Sequence, residues 1–584
     1  MSTPSTHRTW PRLQALARHP QVPVLVALIA VVLALPALFV GYQADDYVHQ
    51  AILGGVEPVE GPQRSAVMDL FAFFDGDEER NGRLRDAGVS PWWSDLTLRA
   101  RFWRPATAVT HLLDHAVAPG NAVFAHVHSL VWLFVLCVLA AYLFRAVHGP
   151  GLIAGFAALL YAVDETHGMP AGWLANRNAL VAGVFGLAAM LLFVRARRGG
   201  DRLAFVASVG AFAVALLAAE AGLATTAWLF AWVVCMEPDT SWRSRIAALA
   251  PFGLVVVAWR VVYSTLGYGV DGSGLYLDPV RSPLRYLVSL PGRVVLLLSD
   301  QFFNFPSMFP AMAPGVVRVA VTAVLTPLVV GGAVVLWRRL DDVPAVRFWV
   351  VGMALSLLPV AATFPMGRVL GFAGLGGAAL MAMVVARGLA GGGSRLVTAI
   401  VVVHVGLASA LLPVQSFITR PLTDLMFNPC DEALRGRDIA GKTVVIVNSN
   451  DLCGSFVAYR RAVDGRPQPA AVRLLASALY DIEVEGVDAH TLEVRIPAGM
   501  QSTDADALLR SVDDVLPLGA EVALTGTTYT IKGWNDRGLV DRIHVRFDAP
   551  LDDPSLVWLC TRDRRPADFT PPAPGEVVAL SRAF

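Results

Sequence analysis

Apolar stretches close to the length that crosses a bilayer, about 20 residues, recur along most of this chain. They fall at 22–40, 122–145, 150–164, 178–195, 203–219, 222–236, 246–264, 315–337, 348–364, 369–387 and 396–413. In lipid every backbone N–H and C=O must be satisfied within the protein, which leaves helices or a closed barrel. Runs this long, without period-two alternation, are helices. Composition agrees: 55% of residues are hydrophobic and 16% are charged, against about 25% charged in a soluble domain. The 47 basic residues balance the 47 acidic ones, so there is none of the basic excess that a nucleic-acid binder carries.

Arginine clusters set the topology. They are Arg145 with His148; Arg195, Arg197, Arg198 and Arg202; Arg243 and Arg245; Arg338, Arg339 and Arg347; and Arg387 with Arg395. Basic flanks stay cytoplasmic, so the spans between clusters come in pairs. Arg8, Arg12 and Arg18 precede the first span, and no small-residue cleavage site follows it, so that span is a retained anchor. The expected chain therefore has about 11 transmembrane helices. Residues 1–21 form a cytoplasmic N-terminus, 22–414 the transmembrane domain with a large periplasmic loop at 42–104, and 415–584 a periplasmic domain. Leu284–Phe303 is either an interfacial helix or half of a further hairpin, and a further crossing would reverse the C-terminal side.

The terminal region alternates apolar and polar residues in Thr491–Ile496, Ile543–Phe547 and Glu576–Leu580, the mark of half-buried strands. Lys442–Val447 is a β-branched run suited to a buried strand, and a helix is expected near Ala470–Leu479. The domain should be β-rich. Cys430, Cys453 and Cys560 lie in it; Cys430 and Cys453 can pair, and the odd count leaves the pairing open. Cys137 and Cys235 lie in spans, as packing residues.

Chemistry-bearing residues collect on one expected face. Asp45 and Asp46 follow the first span, where two adjacent carboxylates are either a solvated helix end or a general base with a partner. Arg104-Pro105 leads into a helix with His111 and Asp114, and His126 opens the second span. Asp164-Glu165-Thr166-His167 and Arg177 lie between the third and fourth spans. Arg260 stands near the outer end of the seventh span, and Arg368 in a short outer loop. An arginine's planar fork suits phosphate. His111, Asp114 and His115 sit one turn apart and read as a polar helix face before a metal site. Gly267–Gly272 fits GxGxxG in form, but it follows a span instead of a strand and reads as a loop.

In order and spacing these residues resemble the GT-C integral-membrane glycosyltransferases, specifically the protein O-mannosyltransferase-like group that includes proteins with tetratricopeptide repeats. The acidic pair, Arg104-Pro105 with Asp114, the segment Asp164–Leu180 (sharing His167, Trp173, Arg177 and Leu180) and Gly367–Gly376 (sharing Arg368, Leu370, Leu375 and Gly376) carry the resemblance. Met169 and Gly367 stand where the group has glutamate, and the repeats are missing.

The resemblance implies a bacterial inner-membrane enzyme of the hexosyltransferase type, set in the lipid bilayer. It would take a sugar from a polyprenyl-phosphate-linked donor to a periplasmic protein, lipid or glycan acceptor. Asp46, or Asp45, would be the base, and Arg177, Arg260 and Arg368 would hold the donor phosphate. Arg104, Asp114, His126, Asp164, Glu165 and His167 would line the site. A divalent cation could bridge Asp45 and the phosphate. The alternative is a non-enzymatic scaffold derived from that fold, or a lipid-linked glycan transporter or ligase.

Overall fold

The computed structural model describes residues 10–313, 315–390, 394–502 and 506–583; Arg8 lies outside them. Among the described residues, seven helices are long and apolar enough to cross a membrane: Val22–Phe39, Ala122–His148, Leu174–Gly199, Trp242–Thr265, Gly315–Arg339, Ala373–Ala390 and Arg395–Phe417. Four shorter apolar helices, Leu152–Ala162, Arg202–Ala218, Glu220–Met236 and Pro344–Val360, stand at the remaining expected places. The protein is a polytopic α-helical membrane protein with a C-terminal β-rich domain.

The arginine clusters meet one another on the face opposite the first loop. Arg145 donates to the carbonyls of His19 and Pro20, ahead of the first span. Arg197 and Arg245 both reach Glu237, one at its carboxylate and one at its carbonyl. Arg387 donates to the carbonyl of Arg339 and the carboxylate of Asp341. Arg387 ends a helix that starts beside the Arg368 loop, so Arg339 lies on the far face and the Gly315–Arg339 helix starts on the near one. The helix Pro283–Phe303 is not among the helices long and apolar enough to cross.

On the near face, strands β1 (Ala72–Asp75) and β2 (Arg99–Arg101) of the first loop pair with β3 (Gly269–Asp271), from the loop after the seventh span. The C-terminal domain holds two sheets. The first orders β12 (Arg565–Asp568), β11 (Leu556–Arg562), β4 (Thr443–Ser449) and β5 (Ala471–Ser477), with β4 parallel to both of its neighbours. The second is antiparallel: β13 (Val577–Leu580), β6 (Ile482–Gly486), β7 (Thr491–Arg495), β10 (Val540–Phe547), β9 (Thr527–Trp534) and β8 (Glu521–Leu524). Alternation marks β9, and β10 from Ile543 onward, where every second residue is buried. A central strand buried on both sides reads as an unbroken apolar run, as β4 does.

The helix expected near Ala470–Leu479 is instead β5, and the helix of this region is Cys453–Val463. Alanine and leucine favour helix, but every residue of β5 is buried beside β4, and tertiary pairing overrides propensity. Cys430 and Cys453 form a disulfide, while Cys137, Cys235 and Cys560 are buried free thiols.

The first loop docks onto this domain and shares its core. Trp92 stacks on Tyr529 with ring centroids 4.7 Å apart, and its Nε1 donates to the carbonyl of Leu475. Thr525 donates from its backbone N and its hydroxyl to the carboxylate of Asp86. Gly88 has φ +76°, and a Cβ there would stand 1.8 Å from the carbonyl oxygen of Val472. Only glycine allows that approach.

Candidate active site

The turn that ends the first span places the acidic pair. Ala44 holds a left-handed φ of +43° with no glycine to ease it, a strain that persists only where the surroundings over-determine it. Asp46 supplies much of that restraint. One of its oxygens accepts from the backbone N of Gln43 (2.9 Å) and the other from the backbone N of Ala175 (2.7 Å). The carboxylate is 1% exposed. Asp46 thus ties the first loop to the loop that precedes the fourth span, and it does not line the cavity into which Asp45 opens.

Asp45 faces into that cavity. It has a volume of about 200 Å³, and Asp45, Arg104, Glu220, His167, Asn176 and Arg368 supply its polar groups. Aromatic rings, among them Phe71, Phe102, Trp173 and Tyr276, make up much of the rest. Arg368 donates to the Oδ1 of Asn176 (3.2 Å), and its guanidinium lies 5.3 Å over the ring of Trp173. Its Nε is buried and has no hydrogen-bond partner among the described residues. Arg104, by contrast, is held by both Nε and Nη2 on one oxygen of Glu220, at 2.9 and 2.7 Å.

The remaining expected site residues divide. His167 reaches the cavity wall with its Nε2 on the carbonyl oxygen of Tyr161, 2.8 Å away. Arg177 does not reach the cavity. It is wholly buried and pairs with Asp114 at 2.5 Å, with further bonds to the hydroxyl of Ser129 and the carbonyl of Ala125. Asp114 also binds His128 (2.6 Å), so it serves that pair as well. Arg260 pairs with Asp278 at 3.0 Å, two residues beyond Tyr276, and so ties down the loop that carries this cavity residue. His126 meets the carbonyl of Gly41.

Asp164 and Glu165 form a buried polar network with the Pro283–Phe303 helix and the turn after it. Gln301 donates to Asp164, and Asn304 to Glu165. Asp300 takes two bonds from Ser307. A Cβ at Gly367 would stand 3.2 Å from Asp300, so the carboxylate beside that position comes from the Pro283–Phe303 helix.

Glu220 and Tyr276 were not expected. Glu220 carried one signal, as the lone acid between two apolar runs. Tyr276, in a loop, carried none. Among the described residues no three His, Cys, Asp or Glu side chains are grouped to hold a metal ion. A divalent cation at Asp45 would find one free carboxylate, since Asp46 is occupied by two backbone donors, and these residues do not make a ligand set.

Burial pushes the Asp45 carboxyl up to about 6, against the pull of Arg368 and Arg104. Burial also raises Asp46, to about 8, with the two backbone donors opposing. A base at Asp45 works only when ionised, so its activity should fall as pH drops through about 6. Stability carries the opposite sign. The raised carboxyl contributes fully below its unfolded value of about 3.9, and that contribution is lost as pH rises through about 6. A pH–rate profile whose acid limb disappears in Asp45→Asn would check the assignment; a limb that survives would place the titrating group elsewhere.

No protein-family model and no curated protein matches the sequence. Among solved structures, the chain is similar to the oligosaccharyltransferase of Archaeoglobus fulgidus tethered with an acceptor peptide. Identity is 14% and the TM-score 0.41, over 78% of this chain and 64% of that one. It is similar to AglB of the same organism, in complex with an inhibitory peptide and a dolichol-phosphate, with 13% identity and a TM-score of 0.40 over 77% and 64% of the two chains. It is also similar to ArnT from Cupriavidus metallidurans bound to undecaprenyl phosphate, with 12% identity and a TM-score of 0.38 over 77% and 89%. The match spans 64% of the length of the archaeal chains, and at these values it does not assign a family.

Proposed function

We propose that this protein is a membrane glycosyltransferase that moves a sugar from a polyprenyl-phosphate-linked donor to an acceptor hydroxyl at the periplasmic face of a bacterial inner membrane. The observation that carries the reading is that Asp45 and Arg368 line one cavity on the face away from the arginine clusters. Asp45 is an anion held ready by neighbouring cations. Arg368 is the arginine of the cavity wall without a carboxylate bound to it among the described residues, and it rests on an aromatic face with donor capacity to spare.

Asp45 takes the proton of the acceptor hydroxyl as that oxygen attacks the anomeric carbon. The bond from that carbon to the phosphate oxygen breaks, and the leaving lipid phosphate gains negative charge. Arg368 meets that charge with a pre-placed fork, where low-dielectric walls strengthen the interaction. Arg104, fixed by Glu220, favours the ionised form of Asp45. Arg177 and Arg260 take no part in holding phosphate; one locks the bundle and the other the Tyr276 loop.

This division makes the arginines distinguishable. Arg368→Lys keeps the charge but loses the planar fork, so affinity for a polyprenyl-phosphate sugar should fall by about 1–3 kcal/mol. Arg260→Lys should leave donor affinity within about twofold, because a single contact to Asp278 survives a lysine. Donor titration by fluorescence quenching or calorimetry in nanodiscs compares the two. Unchanged affinity in Arg368→Lys would remove the phosphate from this cavity.

A further inference from the structure

The acid-bearing helix Asp45–Gly54 is packed on its outward side by one element of the C-terminal domain, the helix Cys453–Val463. The ring of Phe456 meets that of Tyr47 edge to face, with centroids 5.4 Å apart. The guanidinium of Arg460 lies 5.8 Å over Tyr47 and 5.5 Å over Phe456, so both rings are held from above. Further along, Val48, Ala51 and Ile52 share a buried apolar cluster with Tyr459 and with Phe71 of the cavity wall. The hydroxyl of Tyr459 also accepts from Arg64 of the first loop.

The Cys453–Val463 helix is itself fixed from two sides. The Cys430–Cys453 disulfide ties it to the chain that leaves the last span, and Arg460 donates to Asn428 in that same segment. Its N-terminal turn sits flush on the first loop, where a Cβ at Gly454 would stand 1.9 Å from the carbonyl of Gly88. It therefore joins the end of the membrane bundle to the helix that begins with Asp45 and Asp46.

We infer that Phe456 and Arg460 of the C-terminal domain are positioning residues for Asp45, which makes this domain part of the catalytic unit. Neither residue touches the cavity. They act through Tyr47, two positions after Asp45, by fixing where the acid helix sits against the cavity wall. The claim rests on the functional reading above insofar as Asp45 is the base; the packing claim stands by itself.

The test uses the full chain in nanodiscs with Phe456→Ala, Phe456→Leu and Arg460→Gln. Amide hydrogen exchange over residues 45–54 should speed up at least tenfold in Phe456→Ala, with the spans unchanged. In transfer assays, kcat should fall at least tenfold with donor KM within about twofold, and Phe456→Leu, which keeps most of the volume, should recover most of the rate. Unchanged exchange over 45–54 would overturn the brace. Faster exchange with an unchanged kcat would overturn the positioning role. If Phe456→Ala loses protection across the spans as well, Arg460→Gln decides by the same two readouts. Exchange needs no activity, so a parent protein that transfers nothing would sink the functional reading while exchange still decides the brace.

Discussion

Asp45→Asn should lower sugar transfer by about 10²–10⁴-fold, the usual worth of a general base, with no loss of thermal stability, since above about pH 6 the amide removes a desolvated charge. The amide keeps the shape of a side chain that faces a solvent-reached cavity and holds no hydrogen bond to the backbone. Asp46→Asn should divide its effect differently. In its ionised form, above about pH 8, the Asp46 carboxylate accepts one backbone N–H on each oxygen, and an amide can accept on only one. The other donor is left facing an NH₂ group in a buried site, at a cost of about 1–3 kcal/mol, and the strained turn at Ala44 loses a restraint. Initial rates beside unfolding midpoints separate the two. If Asp46→Asn loses rate with full stability while Asp45→Asn stays active, the catalytic assignment within the pair is reversed.

Arg177→Leu should destabilise the folded protein by about 3–5 kcal/mol, because it leaves the buried Asp114 carboxylate without its arginine, held by His128 alone among the described side chains. Removing both charges should cost less than removing one. In a double-mutant cycle, Arg177→Leu with Asp114→Leu should recover much of the loss, since the pair is in direct contact. Thermal unfolding in detergent, followed by tryptophan fluorescence, gives the comparison. A stable Arg177→Leu protein that has lost donor affinity would return Arg177 to the phosphate site.

These two residues show where the sequence could be read and where it could not. The spans are legible because length and apolarity in lipid leave few alternatives, and the arginine clusters because charge resists crossing. An arginine at the mouth of a span reads by default as functional. Its partner Asp114 lies 63 positions earlier, and only the packed bundle brings the two together. The acidic pair was visible, but which member faces the cavity depends on the left-handed turn at Ala44, where no glycine announces it. The same limit applies to β5, whose helix-favouring residues are overruled by the parallel strand beside them. Arg368 was legible in kind, but its freedom from a carboxylate partner is a fact of the fold.

Whether Asp45 and Arg368 act together on a lipid-linked sugar is decided by transfer itself. Purified protein in nanodiscs would be given radiolabelled polyprenyl-phosphate hexoses, with nucleotide sugars in parallel, and a mixed pool of peptide, lipid and glycan acceptors. Label should move from the polyprenyl phosphate to an acceptor, with no transfer from nucleotide sugars, and transfer should be lost in both Asp45→Asn and Arg368→Lys. Transfer that persists at the parent rate in both variants would contradict that joint role.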